Sequence, residues 1–180
     1  MEERPIKCLG DYHEDVIRLD QPTFVQHHGA AFLLHHGPLD EMQVSRNRKD
    51  TMLHEIAGSS QNKQINPDME YLVFPLHNPA GSESPDDTIS VGRSEANEVM
   101  IPDDSISAFH AFVQPEPDGL LSIQDMNSTN GTFVNGTRIP AQGDGLAVQL
   151  KSGDRIRLGA RAFTFLPAAE FCKLVSSLLG

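Results

Sequence analysis

The stretch DMNSTNGTFVNG, from Asp125 to Gly136, places hydroxyls, amides and two Asn-Gly pairs after the apolar run Leu120, Leu121, Ile123 and around the apolar pair Phe133-Val134. Asn-Gly is the strongest short hairpin signal, because both residues tolerate the positive φ of a type I′ turn. Asn135-Gly136 therefore predicts a two-residue turn between Phe133-Val134 and Thr137-Arg138-Ile139. Ser128-Thr129-Asn130-Gly131-Thr132 is not explained in this way. Its hydroxyls, amide and glycine offer more uncharged donors and acceptors than a turn requires.

A second group of reactive side chains is His27-His28 with His35-His36. Neutral imidazoles bind zinc and nickel, but no Cys or carboxylate completes a regular ligand pattern. No metal ligand is assigned, and metal binding through these histidines stands only as an alternative function. A Walker loop, a nucleophile elbow and a Cys-His set of convincing spacing are all missing, so the chain is not read as an enzyme and no cofactor is implied.

Composition narrows the partners. A net charge of −11 argues against nucleic acid, which is bound through a basic surface that neutralises phosphates. Any anion must then be held by local chemistry. No apolar run approaches the roughly 20 residues of a membrane span, and MEERPIKCLG has no apolar segment of signal-peptide length, so a cytoplasmic location is expected. In that setting Cys8 and Cys172 are read as reduced, small apolar residues. A chain of 180 residues holds one ordinary domain with additions.

These residues must be positioned by strands. From Tyr71 onward short apolar or alternating runs are separated by turn residues: Tyr71–Phe74, Thr88–Val91, Val99–Ile101, His110–Val113, Leu120–Ile123, the Asn135-Gly136 hairpin, Arg155–Leu158 and Ala162–Phe165. Alternation marks half-buried strands, and turn signals about every ten residues favour a β-sandwich. After Pro167 the period changes. Phe171, Leu174, Val175 and Leu178 fall at helical spacing, which predicts an amphipathic terminal helix over residues 168–180. Residues 1–66 read as a small helical extension, with LDEMQVSRNRKDTMLHEIAG forming a helix that ends at Gly58 and SSQNKQINPD a linker. The sandwich is expected over residues 67–167.

In this order, ISVGRSEANEV, DDSISAFHAFV, IQDMNSTNGTFVNG and LKSGDRIRLG resemble the successive signatures of the forkhead-associated (FHA) domain, from about Tyr71 to Leu166. The resemblance implies a mainly β fold, an eleven-stranded sandwich whose loops at one end bind phosphothreonine in a partner protein. Phosphothreonine brings about −1.5 to −2 charges and three acceptor oxygens, so its receptor needs a guanidinium and fixed neutral donors. By resemblance, Arg93 and Ser107 contact the phosphate, Thr129 lines the threonine site and Asn130 pairs its amide with the peptide main chain. Arg93 could otherwise be a surface charge paired with Glu95 or Asp103. His110 is expected to brace the loops, Gly92 and Gly131 to meet backbone geometry, and Ser105 to stand where the side chain three residues beyond the phosphothreonine is chosen. Ala108 departs from the family, which usually has a basic or amide residue directly after the serine. One phosphate contact is therefore missing, and a phospho-independent scaffold in a protein assembly is the first alternative.

Overall fold

A computed structural model of the chain describes residues 6–36, 71–77 and 87–179. The helix expected to end at Gly58, the linker after it and most of the loop NPAGSESPDD lie outside the described residues. The fold is a β-sandwich. One sheet has seven strands, and its order brings distant segments together: β1 (Lys7–Cys8), β3 (Tyr71–Leu76), β2 (Ala31–His36), β12 (Arg161–Pro167), β11 (Arg155–Leu158), β8 (Thr132–Val134) and β9 (Thr137–Arg138). The other has five, in the order β10 (Val148–Leu150), β7 (Leu121–Asp125), β6 (Ala111–Pro115), β4 (Ile89–Gly92) and β5 (Val99–Met100). The inward faces enclose Leu33, Leu72, Phe74, Val91, Ile101, Ile106, Val113, Ile123, Ile156, Leu158, Phe163 and Phe165, all buried. Asn135 and Gly136 both take positive φ, 51° and 83°, and Val134 pairs with Thr137, the type I′ hairpin read from the sequence.

Among the described residues, three α-helices form a third layer. The extension is helical over a 3-10 turn (Leu9–Tyr12), α1 (His13–Arg18) and α2 (Gln21–His28), and the chain closes with α3 (Ala168–Leu179). Asp20 caps α2 by accepting from the Thr23 amide at 3.1 Å. On α3, Phe171 and Val175 are buried, with Leu174 and Leu178 half-buried beside them. Phe171 stacks on Phe32 at 4.0 Å between centroids and meets Tyr12 edge-on at 5.2 Å. This second core draws on Phe32 and Leu34 of β2 and on Tyr71 and Val73 of β3.

The extension also supplies something the helical reading did not include. β2 lies inside the seven-stranded sheet, pairing with β3 on one side and β12 on the other. Leu33 faces the sandwich core while Phe32 and Leu34 face the helices, so Ala31–Leu34 is buried on both sides. A strand buried on both faces has no polar alternation to betray it.

Candidate functional site

Loops at one end of the sandwich converge through backbone bonds. Arg93 N–H donates to the Ser107 carbonyl at 3.0 Å and Ser94 N–H to Ala108 at 3.1 Å, joining the loop after β4 to the loop before β6. Gly92 is required by this approach, because a Cβ there would stand 2.3 Å from the Ala108 oxygen. Asn97, fully buried, donates from Nδ2 to the Ser94 and Ala108 carbonyls at 2.8 and 2.7 Å. Gly159 N–H donates to Gly131 at 3.2 Å, and Ala160 N–H to Ser105 Oγ at 3.0 Å, so the β11–β12 turn closes the same end.

Arg93, Ser107, Thr129 and Asn130 are brought together here. Arg93 Nε donates to the Ile106 carbonyl at 3.2 Å, which orients an exposed side chain with no carboxylate partner among the described residues. Asp103, its conceivable surface partner, is instead buried and receives Arg161 Nε at 2.6 Å. Burial pushes the Asp103 carboxyl up, but hydrogen bonds from Ser105 and the Arg161 charge outweigh it and hold the group below its ordinary pKa. Ser107 Oγ accepts the Thr129 N–H at 3.0 Å, with the two hydroxyl oxygens 3.5 Å apart. Asn130 Nδ2 donates to the Ser105 carbonyl at 2.8 Å and the side chain is exposed. Ser105 donates its hydroxyl to Asp103 at 2.5 Å while accepting from Ala160, so both sides of that hydroxyl are engaged.

His110 is fully buried and joins two of these loops. Its Nδ1 accepts the Ser107 N–H at 3.0 Å, and Nε2–H donates to the Gly131 carbonyl at 3.3 Å. That pair of bonds needs the neutral ring protonated on Nε2. Desolvation by burial keeps the ring neutral by lowering its pKa, against the opposing pull of the Gly131 carbonyl and Asp125. Gly131 takes φ +79°, a left-handed conformation, so it is a backbone-geometry residue as the sequence suggests.

Sequence reasoning missed two anchors. Asp125 is buried; its Oδ1 accepts the Ser128 N–H at 3.0 Å, and its Oδ2 accepts the hydroxyls of Ser128 and Thr132 at 2.6 and 2.7 Å. The signal was an Asp followed three residues on by Ser, the spacing of a local side-chain turn. Asn97 is the other, and nothing in its neighbours points to a buried bridge.

The arrangement presents a guanidinium without a carboxylate partner among the described residues, two hydroxyls and an amide on a braced surface. Such a set suits an anion carried on a peptide, through charge-assisted and neutral hydrogen bonds. Ala108 adds an exposed methyl group beside it and no donor. Of the N-terminal histidines, His28 bonds Asp15 at 2.9 Å and the buried His35 donates from Nδ1 to the Ala162 carbonyl; no group of three metal-ligating side chains occurs among the described residues.

The FHA domain family model matches residues 89–159. The ABC transporter ATP-binding/permease protein Rv1747 of Mycobacterium tuberculosis is 38% identical over 77 residues, 43% of this chain and 8% of the transporter. The chain thus spans a small part of that relative's length. A crystal structure of the FhaA FHA domain complexed with the intracellular domain of Rv3910 is 29% identical, covering 43% of this chain and 78% of that one at a TM-score of 0.38. An FHA structure from work on phosphothreonine-dependent interactions is 19% identical, covering 76% of this chain and 95% of that one at a TM-score of 0.43.

Proposed function

We propose that the segment matched by the FHA domain model makes the chain a phosphothreonine-dependent interaction module, binding a phosphorylated partner protein through the loops at the Arg93 end of the sandwich. The observation that carries this reading is the exposed guanidinium of Arg93, unpaired with any described carboxylate, beside the linked Ser107 and Thr129. In a chain of net charge −11, an oriented cation surrounded by neutral donors selects an anion where the overall field would repel it. Arg93 and Ser107 take the phosphate. Thr129 lines the threonine site, and Asn130 meets the peptide main chain with its donor and acceptor. Charge-assisted bonds of roughly 1.5 to 3 kcal/mol each, less the cost of ordering a peptide, leave micromolar affinity, about −8 kcal/mol.

Ala108 supports a second reading, a scaffold that holds an assembly without phosphate. Titration with one peptide in phosphorylated and unphosphorylated forms separates the two. The module reading expects a phosphate preference in the wild type that Ala108→Arg strengthens and makes more sensitive to salt. No preference in the wild type, with one created by Ala108→Arg, would favour the scaffold.

A further inference from the structure

Beyond the loop end, the described residues cover the outer face of the seven-stranded sheet only in part. The helical layer packs on residues of β2, β3 and β12, and its cluster includes none from β11, β8 or β9. On the half that no described helix covers, register places Arg157 opposite Phe133 and Phe133 opposite Arg138, so the three share one face across three strands. The Arg157 guanidinium stacks on the Phe133 ring at 3.5 Å, held by a bond from Nη1 to the Gly159 carbonyl at 2.5 Å. Arg155 stands two residues earlier on β11, on the same face. None of these arginines pairs with a carboxylate among the described residues, and Arg138 and Arg155 are exposed.

The stripe reaches the loop end. The Arg138 guanidinium lies over Gly131, 2.8 Å from where a Cβ would stand. The Arg138 guanidinium thus lies beside the residue that follows Asn130. Without a carboxylate partner among the described residues, the three guanidiniums form a local positive field on an acidic protein, and a cation–π stack fixes that of Arg157.

We propose that Arg138, Arg155 and the Phe133-stacked Arg157 form a second binding surface, continuous with the Asn130–Gly131 loop, that takes an acidic segment of the partner polypeptide bearing the phosphothreonine. The proposal rests on the phosphopeptide reading and assigns that partner an Asp- or Glu-rich flank. The surface raises affinity and selects among phosphorylated partners that Arg93 and Ser107 cannot distinguish, by complementary charge.

The test compares three phosphothreonine peptides by titration at low salt: a short one, the same peptide extended at either end by a glutamate run, and one extended by a glutamine run. Glutamates at one end should tighten binding by roughly tenfold over glutamines, several exposed ion pairs acting together. Raising the salt should shrink the difference. In Arg138→Gln/Arg155→Gln, both exposed positions, the glutamate gain should fall to near zero, and Arg157→Gln should reduce it. If the short peptide binds but glutamates at neither end improve on glutamines, the acidic surface is overturned while the phosphopeptide site stands. If the short phosphorylated peptide binds no better than its unphosphorylated form, the underlying reading fails first. Arginine-dependent retention on anionic phospholipid vesicles, without a glutamate gain, would assign the face to another partner and overturn the proposal.

Discussion

Ser107 Oγ accepts the Thr129 N–H at 3.0 Å, so one side-chain atom joins two loops that lie 22 residues apart in sequence. Its own proton is donated only across a long 3.5 Å contact to Thr129 Oγ1, a weak bond that a phosphate oxygen can replace.

Ser107→Ala removes the clamp and that donor together. Binding of a phosphothreonine peptide should weaken by about tenfold, one charge-assisted bond, while the fold loses about 1 kcal/mol for the loop bond. Calorimetric titration beside thermal melts separates the two effects. Undiminished affinity would show that Ser107 only braces the loops.

His110 makes stability depend on pH. Its folded-state pKa lies below the ordinary 6.5, so below that pH the unfolded chain binds more protons than the folded one. The stability from the neutral ring is present above 6.5 and is lost as pH falls through the folded value, because a proton on Nδ1 ejects the Ser107 N–H. His28 is lowered too, by desolvation that outweighs its Asp15 partner, and acts in the same direction. The melting temperature of the peptide-free protein should fall between about pH 7.5 and 5.5, the range where histidines titrate. The carboxylate of Asp103, itself held low, adds its loss only at more acidic pH. A flat profile over the histidine range would contradict this account of His110.

The extension is part of the fold, and Phe32 shows it. Phe32→Ala removes the ring stacked on Phe171 and should cost about 3 to 5 kcal/mol. A chain beginning at Asn66 loses β2 from between β3 and β12 and should not unfold cooperatively. Sharp melting of the shortened chain, measured by circular dichroism, would show that the sheet closes without β2.

What could be read from the sequence divides along physical lines. Asn135-Gly136 was legible because a type I′ turn needs two residues that accept positive φ, and few pairs do. The strands β4, β6, β7, β11 and β12 announced themselves by alternation or by flanking turns. β2 did not, since Ala31–Leu34 is apolar on both faces and carries no period, and its partners lie 35 or more residues away in β3 and 128 or more in β12. At the site, Arg93, Ser107, Thr129 and Asn130 stand in ordered motifs and the structure gathers them. Asp125 and Asn97 escaped notice because a buried polar anchor is defined by what surrounds it, and that is settled only when the loops close.

Phosphate recognition by Arg93 is the central claim, and a single titration tests it. Arg93→Ala keeps the backbone bonds from residues 93 and 94 that join the loops and loses only the guanidinium and its bond to the Ile106 carbonyl. Isothermal titration of the wild type and the variant with one peptide, phosphorylated and unphosphorylated, should show the phosphopeptide affinity falling by 2 kcal/mol or more, on the order of thirtyfold, while the unphosphorylated peptide hardly responds. If Arg93→Ala binds the phosphopeptide as tightly as the wild type, the phosphate is held elsewhere and the site is misplaced.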